Sequence, residues 1–399
     1  MLTRFYIAPR VIKKYYLSKV IILFKPKLII YAYGSSPNQV IGRSQQTAIR
    51  LSKKTKVLYL IMNTIRQKRQ NGLKFSWAEM QENENLIIRY TPLFLPLSNI
   101  FSIIRKINGL RVALLIKKYL NKVNIAEEEV LFLAYTPLSA EVLKFFPKFR
   151  VHYDCADDFT TWHGLSDRQV KIYKKCEEYL LSRAKTVSTA SKHMERKFKK
   201  VHDCVFRIPN GVEVKKFSVK KSSSELDSFP KPIIGFVGAT SEFLDAELIK
   251  YLAKNREDYS FIFVGPLEGL KNQLKNLKNV YFLGRKSYED LPAYINSFDV
   301  CIIPANKKPA SIAADAAKLY QYLATGKPVV TTNLPEMLEH SEYIYISDNK
   351  EEFLNKIEEA LKENELKREL RKKYSLKFDW ENTVDKLYSL FTTGRITNE

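Results

Sequence analysis

Cysteine is scarce in this chain of 399 residues: Cys155, Cys176, Cys204 and Cys301 stand far apart, with no Cys-x-x-Cys or Cys/His spacing. That scarcity excludes a disulfide framework and a structural zinc site, and it suits a reducing compartment. No stretch reaches about 18 uninterrupted apolar residues, so no membrane-spanning helix is expected. The first two dozen residues also lack the long uncharged core and small-residue cleavage site of a signal peptide. No repeat with a period of about 20–50 residues is visible, which argues against a solenoid. Only 13 glycines accompany a 45% hydrophobic content, so the chain can bury sizeable cores and is long enough for two domains.

Acids are nearly missing from the first third. Residues 1–122 hold 23 lysines and arginines against Glu79, Glu82 and Glu84, while the whole chain has a net charge of +23. Such a one-sided field attracts polyanions: nucleic acid, the anionic face of a bilayer, or a phosphorylated substrate. No nucleic-acid recognition motif accompanies the charge, and basic charge alone does not read a sequence, so no nucleic-acid partner is expected. Two segments point to a membrane surface. In Leu2 to Phe24, apolar residues alternate with Arg4, Arg10, Lys13, Lys14 and Lys19, and in Ile100 to Val123 they alternate with Arg105, Lys106, Arg111, Lys117 and Lys118. Each reads either as an interfacial helix or as a solvated amphipathic helix packed on its own domain.

Short β-like runs alternate with longer amphipathic stretches along the chain. A first series contains Leu28 to Tyr33, Val57 to Met62, Leu86 to Tyr90, Val130 to Ala134, Val151 to Tyr153, Thr186 to Thr189 and Val205 to Ile208. A polar, serine-rich tract then ends at Pro230, as expected of a linker. The second series contains Pro232 to Val237, Ser260 to Val264, Val280 to Leu283, Val300 to Ile303, Val329 to Thr332 and Ile344 to Ile346. The pattern predicts an α/β protein of two doubly wound, helix-covered parallel sheets, with ligands beyond the carboxyl ends of the strands. Expected boundaries are 1–217, a linker at 218–231, 232–377, and a last helical segment, 378–399, crossing back to the first domain.

The segment from Lys318 to Thr332 reads as a short helix, a glycine stop at Gly326 and a buried strand. Small residues from Ser311 to Ala317 would let the helix N-terminus approach an anion. Lys318 is the candidate cation there, or else the partner of Asp315 in an i,i+3 ion pair. Gly235 and Gly238 follow a strand and serve either close backbone approach to a ligand or a tight turn. Asp154, Asp157 and Asp158 follow the run Val151 to Tyr153 and would face a cleft. Asp157 and Asp158 either cap the next helix or orient and deprotonate a hydroxyl. The spacing suggests no complete metal site, because further oxygen ligands are not identifiable. Glu213 reads as solvated.

Taken together, Gly235-Phe-Val-Gly-Ala239, Phe263-Val-Gly-Pro266, Val280-Tyr-Phe-Leu-Gly-Arg285, Leu291-Pro-Ala-Tyr294, Phe298-Asp-Val300 and Lys318 to Val330 resemble the nucleotide-sugar-binding domain of GT-B glycosyltransferases. The likeness is to the family 4-like group of cell-envelope polysaccharide assembly, of teichuronic-acid type. Arg43-Ser-Gln-Gln46, Tyr153 to Phe159 and Ile208 to Val212 with Phe217 are similar to that group's acceptor-domain signatures.

The resemblance implies donor binding by Gly238, Ala239, Gly284, Arg285, Asp315, Ala316, Lys318, Leu319 and Gln321, and catalytic roles for Asp157, Asp158 and His163. His163 equally suits a packed loop position, and Arg285 a solvated surface charge. It further implies a nucleotide-diphosphate-sugar donor with no other cofactor and no metal, a glycan or polyprenyl-linked acceptor, anomeric retention, and a cytoplasmic enzyme peripheral to the inner face of the membrane. Two departures stand out: Gln321 and Ala313 occupy positions where the group usually carries acids, and Asp315 and Ala316 replace a common Asn and Pro. A catalytically silent homologue acting as a partner subunit, and a sugar-nucleotide epimerase of the same fold, remain the alternatives.

Overall fold

A computed structural model describes residues 24–34, 42–64, 80–162, 164–238 and 241–396. The first sheet contains β1 (Leu28–Gly34), β2 (Lys56–Ile61), β3 (Met80–Asn83), β4 (Leu86–Tyr90), β5 (Val130–Ala134), β6 (Arg150–Cys155), β7 (Thr186–Thr189) and β8 (Val205–Arg207). Its order is β3-β4-β2-β1-β5-β6-β7-β8. The second sheet contains β9 (Ile233–Val237), β10 (Ser260–Val264), β11 (Val280–Phe282), β12 (Val300–Ile303), β13 (Val329–Thr332) and β14 (Tyr345–Ser347), in the order β11-β10-β9-β12-β13-β14. Their inner strands are apolar runs buried on both faces, which is what helix-covered parallel sheets require. The exception is β3, which pairs antiparallel to β4 at the edge. Its sequence, Met-Gln-Glu-Asn, carries no apolar alternation and gives no strand signal.

Alternate residues of β1 feed opposite cores. Leu28, Ile30 and Ala32 pack with Val112, Ile116 and Tyr119 of the helix Ser102–Val123. On the other face, Ile29 and Tyr31 meet Trp380, Val384, Leu387 and Phe391 of the last helix, Trp380–Thr393. The chain therefore passes between the lobes twice, once outward near Val212 and once back near Asp379. The two passages are bonded side by side, Val212 N–H to Phe378 O at 2.8 Å and Trp380 N–H to Val212 O at 3.1 Å. Gly211 is required there, because a Cβ would lie 2.7 Å from the Trp380 ring. Residues 218–231 lie on the second lobe: Leu226 is buried, and Glu225 pairs with Lys286 at 2.7 Å.

The first lobe is built around a buried ion pair. Arg43 Nη2 donates to Asp154 Oδ1 at 2.7 Å and Nε to Oδ2 at 3.0 Å, with both side chains almost wholly buried. Asp154 thus lies inside the lobe rather than facing a cleft as the strand end suggested. Although burial opposes ionisation, Arg43 and the Ser188 hydroxyl hold its carboxyl below the usual range. Replacing Arg43 by Met should leave that carboxylate buried without its countercharge and cost about 3–5 kcal/mol. Urea unfolding measures it, and a loss below about 1 kcal/mol would mean that Asp154 is neutralised by something else.

Candidate functional site

The second sheet reverses its winding between β9 and β12, and the carboxyl ends of β9, β10 and β11 lead into three glycines. Gly238 N–H bonds to Val264 O at 3.0 Å, and Gly265 N–H to Gly284 O at 2.8 Å, so the turns interlock. Gly265 has φ +139°, and a Cβ there would fall 1.7 Å from Gly238 O. Gly284 has φ +66° and open space where a Cβ would be. Three adjacent strand ends therefore present backbone without side chains, the form that close approach by a ligand requires.

Lys318 reaches this edge from the helix Ala317–Thr325. A Cβ on Gly238 would lie 3.1 Å from Lys318 Cε, and the Lys318 ammonium stands 5.4 Å from the centre of the Phe236 ring. The expected alternative, an ion pair with Asp315, does not form. Asp315 accepts instead from Asn210 N–H at 2.7 Å and from the Tyr320 hydroxyl at 2.7 Å. No carboxylate among the described residues pairs with Lys318, and burial pulls its pKa down to about 8. Nor do the amides of Ala317 and Lys318 have an acceptor among the described residues. Two open helix N–H groups and an uncompensated ammonium make this corner suited to an anion.

The remaining expected donor residues divide. Ala316 is the N-cap position, and Gln321 is half-buried one turn beyond Lys318. Arg285 is exposed. Leu319 is a core residue whose N–H is taken by Ala316 O at 2.9 Å, so neither its side chain nor its amide is offered to a ligand. Ala313, where an acid was expected, is buried. Ala239 and His163 lie outside the described residues.

Asp157 and Asp158 separate sharply. Asp158 is consumed locally: Oδ1 accepts from Thr160 N–H at 3.0 Å and its hydroxyl at 2.6 Å, and Oδ2 from Lys197 at 3.2 Å. Against the effect of burial, these partners hold its carboxyl below the usual range. Asp157 has no side-chain hydrogen bond among the described residues. Burial, and then the field of Asp315 from the other lobe, push its pKa up to about 6. Of the two, Asp157 has the free carboxylate.

Contacts between the lobes hold these groups opposite one another. Asn210 Nδ2 donates to Asp315 O at 3.0 Å. Arg207 Nη1 meets Glu339 Oε2 at 2.8 Å, and Lys192 pairs with the same carboxylate at 3.0 Å. Glu213, read as solvated, in fact accepts from Gln46 at 3.0 Å and lies 3.8 Å from Arg50. Arg207, Glu339 and Tyr320 gave no signal in the sequence, because single charged or aromatic residues far apart in the chain do not announce a shared interface.

Residues 229–376 match the family model of glycosyl transferases group 1. The chain is 30% identical over 256 residues to TuaH of Bacillus subtilis, named as a teichuronic acid biosynthesis glycosyltransferase; the match spans 58% of this chain and 64%, less than two thirds, of that one. Among solved structures, a sucrose-phosphate synthase from Thermosynechococcus elongatus is 16% identical and superposes with a TM-score of 0.71, covering 92% of this chain and 98% of its own. The Anabaena HepE protein in complex with UDP and glucose is 14% identical, with a TM-score of 0.64 over 92% of this chain and 100% of its own. At these identities the structural likeness is one of fold, and that fold is GT-B, as the motifs implied.

The Asp157 carboxyl should titrate near pH 6, read by carbon-13 NMR of labelled aspartate. Asp315→Asn removes the like charge and should lower that midpoint. A midpoint in the ordinary range, near 4, in the parent protein would mean that water reaches Asp157 freely.

Proposed function

We propose that this chain, whose second lobe matches the group 1 glycosyltransferases, transfers a sugar from a nucleotide-diphosphate-sugar donor to a glycan or polyprenyl-linked acceptor in cell-surface polysaccharide assembly. In this reading the first lobe takes the acceptor and the second lobe the donor, and the enzyme works at the cytoplasmic face of the membrane with retention at the anomeric carbon. The observation that carries it is the glycine-lined edge at Gly238, Gly265 and Gly284, closed at one end by Lys318, with which no described carboxylate pairs.

The chemistry follows from charge. Cleaving the donor leaves a nucleoside diphosphate, whose developing negative charge needs donors already in place. The open amides of Ala317 and Lys318 and the ammonium of Lys318 supply them, without a metal among the groups used. Gly284 and the exposed Arg285 flank the end nearer the base, and Gln321 offers an amide to the ribose hydroxyls. Asp157, whose carboxylate no described residue bonds, takes the acceptor hydroxyl's hydrogen bond. Asp158, engaged with Thr160 and Lys197, shapes the loop.

Gln321 and Ala313 favour a second reading, a catalytically silent partner subunit, since both replace acids. Release of nucleoside diphosphate from UDP-hexose by the purified chain, abolished in Asp157→Asn at unchanged melting temperature, would separate the enzyme from the silent homologue. A sugar-nucleotide epimerase would instead return an isomerised donor.

Lys318→Ala should weaken donor binding by about 1.5–3 kcal/mol, the scale of one charge-assisted contact, with the fold intact. In the parent protein, affinity should fall as pH rises through about 8, where the ammonium loses its proton, and the alanine variant should lack that step. Calorimetric titration with a nucleotide sugar reads both, and equal affinities across pH would remove Lys318 from the site. Excess chelator should leave transfer almost unchanged, whereas a complete loss restored by magnesium would contradict the metal-free account.

A further inference from the structure

The helix Ser102–Val123 has two unlike faces. Val112, Ala113, Ile116 and Tyr119 are buried in the first lobe's core. On the other side Ile103, Ile107, Leu110 and Leu114 form one stripe, spaced by four, three and four residues, and every one is exposed, Ile103 to 61% and Leu114 to 56%. Monomeric proteins rarely leave such a contiguous apolar row open. The row extends onto the preceding loop through Leu97, 55% exposed, and Phe101.

That loop is held in place. Asn108 Oδ1 accepts from Leu95 N–H at 2.9 Å, while Arg105 and Arg111 donate to Ser98 O at 2.8 Å and Leu93 O at 2.7 Å. Gly109 makes the seating possible, since a Cβ there would stand 2.5 Å from Glu141 O. The apolar face is thus built into the lobe and points away from it.

Charge identifies the occupant. At 100° per residue, Lys106 and Lys117 fall on one side of the stripe and Lys118 on the other. All three are exposed, and none pairs with a carboxylate among the described residues. From Asn85 to Ala126 the sequence has no acid at all, against seven lysines and arginines. An apolar stripe bordered on both sides by unpaired ammonium groups matches the acyl boundary and the anionic headgroups of a bilayer. A protein partner would have to present an apolar groove rimmed by acids on both sides. No helix among the described residues is long and apolar enough to cross a membrane, so the contact would be in the plane of the surface.

The same face adjoins the acceptor side. Arg168 donates to Ile100 O, tying the loop to the helix Asp167–Arg183. Just ahead of that helix, Trp162 is 46% exposed and packs on Phe159, with ring centres 5.0 Å apart. Phe159 is two residues from Asp157.

We propose that the exposed face of the helix Ser102–Val123, with Leu97 and Phe101, is the surface by which the protein lies on an anionic phospholipid bilayer, bringing the Asp157 loop to the headgroup layer. This rests on the glycosyltransferase reading only in making a lipid-anchored acceptor the substrate that reaches Asp157 from that side.

The test is flotation of the full chain with vesicles. The parent should float with phosphatidylglycerol and phosphatidylcholine in equal parts at low salt, release near molar salt, and ignore vesicles of phosphatidylcholine alone. Ile103→Gln, Ile107→Gln, Leu110→Gln and Leu114→Gln combined should lower partitioning at least about tenfold with an unchanged melting temperature, since these side chains support no core. Lys106→Gln, Lys117→Gln and Lys118→Gln combined should lower it about tenfold or more and flatten the salt dependence. Unchanged flotation of the fourfold variant would overturn the proposal, as would equal binding of the parent to neutral vesicles. So would a parent dimer that the fourfold variant dissolves without any lipid binding, because the face would then join copies of the chain. UDP-hexose binding in lipid-free buffer keeps the two readings apart. If it survives while flotation fails, only the docking surface falls, and if it is absent from the parent while flotation holds, only the glycosyltransferase reading falls.

Discussion

The Arg43–Asp154 ion pair ties the first lobe's strand ends to the segment that meets the second lobe. The guanidinium spends two donors on Asp154 and directs Nη1 to Ile208 O at 3.0 Å and Pro209 O at 3.1 Å. Those two carbonyls fix the backbone just before Asn210, whose N–H and side chain hold Asp315 of the second lobe. On the other side, Asp154 accepts from the Ser188 hydroxyl at 2.6 Å. Since that hydroxyl spends its proton on Asp154, it accepts from His152 Nε2, which leaves Nδ1 to accept from the Thr186 hydroxyl. Burial keeps His152 neutral, with its pKa pulled down to about 3, so the network carries one cation and one anion and no surplus charge. Such a network fixes geometry more than it adds stability.

From that anchor the two lobes face each other with unlike electrostatics. The first contributes Asp157, a carboxylate without a hydrogen-bonding partner among the described residues, and the second contributes Lys318, an ammonium with which no described carboxylate pairs. Each is partly buried, and burial moves each toward neutrality, Asp157 up to about 6 and Lys318 down to about 8. Groups kept in this state gain most from a ligand that brings the complementary charge or proton. The residues around them, Asp158 with Lys197 and Glu339 with Arg207, are already paired and hold the frame.

The sheets were legible in the chain because buried parallel strands are continuous apolar runs: Leu86 to Tyr90, Val130 to Ala134 and Ser260 to Val264 could be bounded to the residue. The edge strand Met80–Asn83 was not, since one ladder partner and a polar composition leave no pattern. Gly238 and Lys318 were legible as chemistry and Gly284 through the family resemblance, while Gly265, which lies within the same set of motifs and interlocks with both glycines, was not singled out as a ligand-facing position. Aspartates were the least legible. Asp154, Asp157 and Asp158 look alike in sequence, yet one is paired in the core, one has no bonded partner among the described residues and one caps a turn. Partners more than 100 positions away, such as Arg43, decide this, and local pattern does not contain them.

In the proposed complex a nucleotide sugar lies over the glycine edge with its diphosphate at the N-terminus of the helix Ala317–Thr325. A crystal structure of the full chain with UDP or a UDP-hexose tests it most directly. The diphosphate should lie within hydrogen-bonding distance of the Lys318 ammonium and the Ala317 or Lys318 amide, and the base over Gly284. A nucleotide seated away from these groups, or no bound nucleotide of any base at millimolar concentration, would contradict it.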